Sequence, residues 1–323
     1  LTNNGVVNGE DSANLAIESI ANNGYIQGSQ VIINSGLLTN NGVVNGEDSA
    51  NLAIESIDNI GTIQGSQVVI NSDALTNNGM LNGENSADLA IESIVNSGTI
   101  QGAQVVFNSD TLINSGVVNG ETSAYLAIDS INNAGTIQSN QQLNVNSEKI
   151  ENPGTLYSSD EIDITVGQIY NSGIMQGAGL ALNGEGIINN GSIIGQTSAA
   201  ITGGYIVNDS DGYIQGDQNI SVVADALTNN GVVYGENSAD LAIKLIENSG
   251  AIQGSQIVID SDTLTNFGVV NGESSADLAI ESIRNSGAIQ GSQMIINSDV
   301  LTNNGMLNGE NSADLAIESI VNS

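Results

Sequence analysis

An asparagine recurs every 18 or 19 residues along the chain, with one spacing of 21 after Asn208, two places after an aliphatic residue and usually two before a glycine. The series is Asn3, Asn22, Asn40, Asn59, Asn77, Asn96, Asn114, Asn133, Asn152, Asn171, Asn189, Asn208, Asn229, Asn248, Asn266, Asn285, Asn303 and Asn322. A fixed period of about 20 residues marks a solenoid, in which each repeat buries its apolar side only by stacking on its neighbours. The series spans all 323 residues and leaves no room for a separate globular domain.

The unit is a pair of turns, LTNNGVVNGEDSANLAIES (1–19) and IANNGYIQGSQVIINSGL (20–37). Both open with aliphatic-x-Asn-x-Gly-x-aliphatic-x-Gly. Period-two spacing of β-branched residues predicts strands, and Gly and Asn between them predict corners with left-handed and turn conformations. Short strands, a fixed period and no helical spacing predict an all-β parallel β-helix (solenoid) with 18–19-residue coils, about 17 of them, stacked at about 4.8 Å into a rod roughly 80 Å long. Four aliphatics per coil are expected inside: Leu1, Val7, Leu15 and Ile17 in the first, Ile20, Ile26, Val31 and Ile33 in the second, each stacked on its equivalents. Val6, Tyr25, Val43, Thr62 and Met80 share one outward position. The asparagines are expected to form an internal ladder, each amide donating to the next and accepting from the one before. This structural role is preferred over ligand binding. The glycines beside them serve backbone geometry, because a phosphate loop needs a helix and basic support.

Net charge is −33, and Lys149, Lys244 and Arg284 are the only basic residues. Nucleic-acid binding requires several cations to displace phosphate counterions, so that partner is excluded, as is docking on an anionic bilayer. A surface this acidic is expected to stay soluble and repel copies of itself. Cysteine and histidine are absent, which removes disulfides, thiolate chemistry and the commonest general base. No run is long enough for a membrane-spanning helix, so direct membrane insertion is not expected. Any targeting segment is expected outside this sequence.

Residues 131–226 depart most from the consensus. They contain Pro153, Tyr157, Tyr170, Tyr205, Tyr213 and a two-residue insertion near Asn208–Asp211, a candidate surface bump. Residues 75–97 are identical to residues 301–323, and neither end carries a polar cap. Residues 1–323 are therefore expected to be a single uncapped array, a fragment of a longer chain.

The segments LTNNGVVNGEDSANLAIES and INSGVVNGETSAYLAIDS resemble the haemagglutinin repeats of the filamentous haemagglutinin family. The likeness covers the whole chain. It implies a right-handed parallel β-helix in a large exoprotein, secreted or displayed on the cell surface of a Gram-negative bacterium, as an adhesin or contact-dependent growth-inhibition effector. It further implies an outer-membrane transporter as export partner, and a host or target-cell receptor or glycan bound through regions largely outside this segment. The family's amino-terminal secretion domain and carboxy-terminal toxin are not seen in this sequence, so no functional residue carries over.

Carboxylates recur at two registers: Glu10, Glu47, Glu84, Glu121, Glu236, Glu273 and Glu310; and Glu18, Glu55, Glu92, Asp129, Glu281 and Glu318, with Lys244 in the second. Both fall on alternate coils, with like charges about 9.6 Å apart. A solvated, aggregation-resistant face is the preferred reading over weak divalent-cation binding, which needs six to eight converging oxygens. Acid pairs could cleave glycosides in principle, but here every pair recurs and none is singular. SANLA and SADLA match a pentapeptide pattern only once per 37 residues. Thr2, Thr39, Thr76, Thr228, Thr265 and Thr302 align on alternate coils, a weak ice-binding pattern. No catalytic, cofactor-binding or metal residue is assigned, and no cofactor is expected. The expected function is a non-enzymatic stalk that presents a distal adhesive or toxic domain. The alternative is a module whose outward faces or irregular middle coils grip a glycan or receptor. The internal repeat also predicts that the parent sequence continues after Ser323 with a segment like GTIQGAQVVFNS; a stop or an unrelated domain there would defeat it.

Overall fold

Alternating β-branched and polar residues should give strands, and in the computed structural model, which describes residues 1–322, strands and short bends make up the chain. No helix occurs among the described residues. Pairing is parallel throughout, each residue beside its equivalent one coil on: Val43 lies between Tyr25 and Thr62, and Asn59 between Asn40 and Asn77. The fold is a parallel β-solenoid of about 17 turns. Contacts divide it into two compact units, Leu1–Asp160 and Glu161–Ser323, each a stack of the same kind.

The coil from Asn40 to Asn59 shows how sequence becomes shape. Asn40, Val44, Gly46, Ala50, Leu52, Ile54, Ile57 and Asn59 are buried, while Glu47–Asp48 and Glu55–Ser56 are exposed pairs. Two successive outward residues interrupt period two, so the chain bends there. A third bend lies at Asn41–Gly42, between the strands Tyr25–Asn40 and Val43–Asn59. Each coil thus has an asparagine corner, a glycine corner and, before the next asparagine, an acidic corner. A first face (Val43–Gly46), a second (Ser49–Ile54) and a third (Ser56–Asn59) lie between them.

The difference between 18- and 19-residue coils arises at the glycine corner. Gly46 and Ser49 enclose Glu47 and Asp48, whereas Gly65 and Gln67 on the next coil enclose only Ser66. One residue bulges outward, and register is restored beyond it. The inward columns therefore differ from the expected four. Ala50 lies between Val31 and Val68, Leu52 between Ile33 and Ile70, and Ile54 faces Ser35. The 19-residue coil from Asn40 to Asn59 buries five aliphatics where its 18-residue neighbour buries four: Ala50 occupies the column of Val31 and Val68, and the additional one, Ile54, stacks on Ser35 rather than on Ile33. Ser35 and Ser72 are buried and satisfied locally, Ser72 Oγ donating to the Glu55 and Ala74 carbonyls at 3.2 and 3.0 Å, whereas Ser109 Oγ in the same column has no hydrogen-bond partner among the described residues.

The asparagine ladder forms as expected. In the first unit, bonds of 2.7–2.8 Å run from each Nδ2 to the Oδ1 of the next asparagine, from Asn3 through to Asn152. In the second they run from Asn171 to Asn322 at 2.8–2.9 Å. The second amide proton, which the sequence left unassigned, also reaches the backbone: Asn77 Nδ2 donates to the Thr99 carbonyl at 3.1 Å. Pro153 fits because the N–H it lacks is one of two that share a carbonyl elsewhere. Gly154 N still donates to Asn133 O at 2.8 Å.

The expectation of left-handed corner conformations is corrected. No described residue has a positive φ. The glycines are required by space. A Cβ on Gly61 would lie 2.0 Å from the Gly42 carbonyl oxygen, and the same contact recurs at 2.1 Å for Gly79 against Gly61. The two-residue insertion of the second unit loops out as a turn in which Gly212 N donates to Asp209 O at 2.8 Å. The ladder passes beneath it, Asn208 to Asn229, at 2.8 Å.

Asn77→Asp removes two donors and places an ionised group in a fully buried column. It should cost a few kcal/mol, roughly 3–5, in chemical denaturation, while Glu84→Gln at an exposed bulge should change stability by less than about 0.5 kcal/mol. Gly61→Ala should destabilise by about 1–3 kcal/mol through overpacking. Gly179→Ala, where the nearest atom is Glu161 Cγ at 3.8 Å, should be neutral or stabilise by up to about 1 kcal/mol.

Candidate functional site

Buried columns are occupied by their own neighbours, so any site has to lie on outward positions. Three outward features stand apart from the regular surface.

The first is the acidic corner. Its residue is always four places before the next asparagine. In the first unit this column reads Glu18, Gly36, Glu55, Asp73, Glu92, Asp110, Asp129 and Glu148, bracketed by the pairs Ser72–Ile91 and Ala74–Ser93 on one step and Ser109–Ile128 and Thr111–Ser130 on another. The expected alternate-coil spacing is therefore overturned for this register. From Glu55 onward every coil of the first unit carries a carboxylate, about 4.8 Å from the next by coil rise. Asp73 and Asp110 were missed because their coils read Ser-Asp where the others read Ile-Glu. Counting back from the asparagine would have found them. In the second unit the column ends Asp225, Lys244, Asp262, Glu281, Asp299 and Glu318, again with an acid on successive coils.

A shallow open groove follows this corner. Ile17–Glu18, Ser35–Gly36, Ile54–Glu55 and Ser72–Asp73 line it in the first unit. In the second, Ala224–Asp225, Ile243–Lys244 and Ser261–Asp262 line it. Lys244 interrupts the carboxylates and bonds Asp225 at 2.6 Å. Its ammonium is held above the usual lysine value by that hydrogen bond and the Asp225 charge, opposed by desolvation and reinforced by Asp262. Both partners are about two-thirds exposed, so the pair contributes little to stability. The groove concentrates negative potential and attracts cations. Among the described residues no three acidic side chains converge as a metal centre requires.

The second feature is the glycine corner. Glu10, Glu47, Glu84 and Glu121 keep the expected alternate-coil spacing, because the shorter coils place Ser29, Ser66 and Ala103 there. Ser29 Oγ donates to the Asp48 carboxylate, and Asn85 Nδ2 donates to Ser66 Oγ at 2.7 Å. Uncharged residues thus separate the charges.

The third is a tyrosine pair in the second unit. Tyr213 pairs with Val232, and Gln215 with Tyr234, so the two rings are diagonal neighbours on the first face. Ile194 lies beside Gln215, and Gln215 Nε2 donates to Asp217. The Asp209–Gly212 turn projects at the edge. Burial raises the Tyr213 phenol above its ordinary value, with Tyr234 and then Asp217 adding to the shift. The sequence singled out Tyr213 and the insertion but not Tyr234, whose partner is 21 residues away and adjacent only in the stack. Tyr170 and Tyr205, grouped with Tyr213 in the sequence, lie on the third face instead.

The threonine pattern does not become a ladder, since Thr39 lies between Ala21 and Asp58. No family model, curated protein or solved structure matches this chain.

In a spectrophotometric titration of the folded chain, Tyr213 should ionise above the usual phenol range near pH 10, and Tyr213→Phe should remove that late component. The raised pKa fixes the sign of its contribution to stability: fully present below the unfolded value, and lost as pH rises through the folded one. A titration that Tyr213→Phe leaves unchanged would contradict this.

Proposed function

We propose that this solenoid is a structural stalk, a segment that sets distance between parts of a larger surface-displayed or secreted exoprotein and holds a distal adhesive or toxic domain outward. One observation carries the reading: the buried polar spine satisfies itself coil by coil, with bonds of 2.7–2.8 Å along the first unit. Any number of coils can be stacked this way without a new interaction, which suits a spacer. The acids support a non-catalytic role, because each carboxylate pair recurs along a stack instead of forming one singular constellation. The resemblance to filamentous haemagglutinin repeats supports export from a Gram-negative cell through an outer-membrane transporter.

Removing one repeat pair, residues 38–74, joins Leu37 to Leu75 in the same phase of the repeat. A stalk tolerates this. The shortened chain should fold cooperatively and lose only two coil rises, about 9.6 Å of stack, measured by circular dichroism and small-angle scattering. Loss of folding, or a binding activity of the intact chain that vanishes with this pair, would overturn the reading.

A second reading, a glycan- or receptor-binding module, is favoured by the Tyr213–Tyr234 pair beside Gln215 and a projecting turn. Aromatic faces with neighbouring amides suit neutral sugars, whereas an anionic glycan would be repelled by the surrounding acids. If it holds, Tyr213→Ala with Tyr234→Ala should abolish capture on a neutral-glycan panel. Equal capture by wild type and double variant, or none by wild type, counts against it.

A further inference from the structure

We infer that the first face is a lateral docking surface for a second copy of this chain. In the first unit its two outward columns begin Val6, Tyr25, Val43 and Asn8, Gln27, Asn45, and alternate in this manner onward. Every position on both columns, as far as Thr155 and Tyr157, is uncharged. The same two columns of the second unit, from Ile174 and Gln176 to Met306 and Asn308, are uncharged as well. The other two faces are not. Asp88 and Asp240 lie on the second, Asp58 and Glu247 on the third. In a chain of net charge −33, this face is the side on which two copies can meet without opposing carboxylates.

Its texture suits self-pairing. Tyr25 and Met80 are 51% and 40% exposed, and Val43, Thr62, Thr99 and Val117 in the same column are half-buried. The amides beside them are partly satisfied in the plane of the face. Gln64 donates to Asn45, Gln101 to Asn82 and Gln138 to Asn119, each at 3.0 Å. They can therefore be covered at lower desolvation cost than free amides. Within each unit the columns repeat with the coil rise, so another stack of equal rise matches that spacing coil by coil. About eight coils of roughly 4.8 Å by four residues of roughly 3.3 Å give about 500 Å² per partner in one unit, or about 1,000 Å² in total. That area lies at the lower limit for a specific interface, and it grows with each coil. The glycine-corner acids flank the face and oppose approach over a Debye length, so pairing should strengthen with salt.

Sedimentation velocity on the full chain is the test. The weight-average coefficient should rise with concentration up to about 100 µM, as for a weak interface, and more steeply near 0.5 M salt, where screening acts within about 5 Å. The near-isosteric set Gln64→Glu, Gln101→Glu, Gln253→Glu and Gln290→Glu should lower the association constant at least tenfold. Val69→Glu with Val258→Glu on the second face should leave it unchanged. Because the glutamate set could fail to fold, a second measurement uses a polarity-sensitive dye on single cysteines. Emission should shift with concentration on Thr99→Cys and stay constant on Val106→Cys. A wild type that remains monomeric over this range overturns the inference. So does equal loss from the second-face variants, or association that the glutamate set does not weaken, as stacking through coil ends would show.

Discussion

Coil-on-coil registry is the constraint on which everything else depends. In a parallel stack each residue meets its own equivalent above and below, and the asparagine occupies the same inward position in coil after coil. A buried amide repeated in this way would be ruinous unpaired, because each orphaned donor costs about 1–3 kcal/mol. Asparagine resolves this by carrying donor and acceptor on one planar group. Asn59 accepts from Asn40 at 2.8 Å and donates to Asn77 at 2.7 Å. The apolar columns still dominate the driving force. Burying each Leu or Ile is worth about 1.5–3 kcal/mol, and a coil buries four or five, against about 1 kcal/mol net per ladder bond. The ladder acts chiefly on register: slipping a coil by one residue would break its ladder bonds to both neighbours and turn its aliphatics outward.

Registry also decides how charge is arranged. Carboxylates collect at the glycine and acidic corners, where the chain bends and side chains splay into water. At the glycine corner the bulge that adds a nineteenth residue carries the acids from Glu10 to Glu121, and the shorter coils between them supply serine or alanine, so charges alternate. At the acidic corner no length difference intervenes, and the acids of both coil types fall in one line. Asp73 thus sits between Glu55 and Glu92, and Lys244 between Asp225 and Asp262. The stack keeps its first face clear of the same charges, and the two consequences of one registry are an acidic groove and a neutral strip.

Much of this was legible in the residues. The period, the parallel stack, the asparagine spine and the looped-out insertion after Asn208 follow from spacing, since any inward position has to repeat. Glycine was placed correctly for a mistaken reason. Gly61 is excluded from bearing a side chain by the Gly42 carbonyl, a contact between residues 19 apart that local dihedral reasoning does not see. Tyr234 was overlooked because its neighbour Tyr213 is close only across a coil, and Ala50 because a small residue beside Leu52 reads as a gap in the apolar pattern.

The sequence by itself determined what repeats: an aliphatic, an asparagine and a glycine at fixed offsets, and hence a stack with a self-satisfied polar column. Only the tertiary structure decided what aligns. Alignment between coils of unequal length depends on where the extra residue is expelled, and that is settled by backbone hydrogen bonding between neighbouring coils, which restores register immediately past the glycine corner.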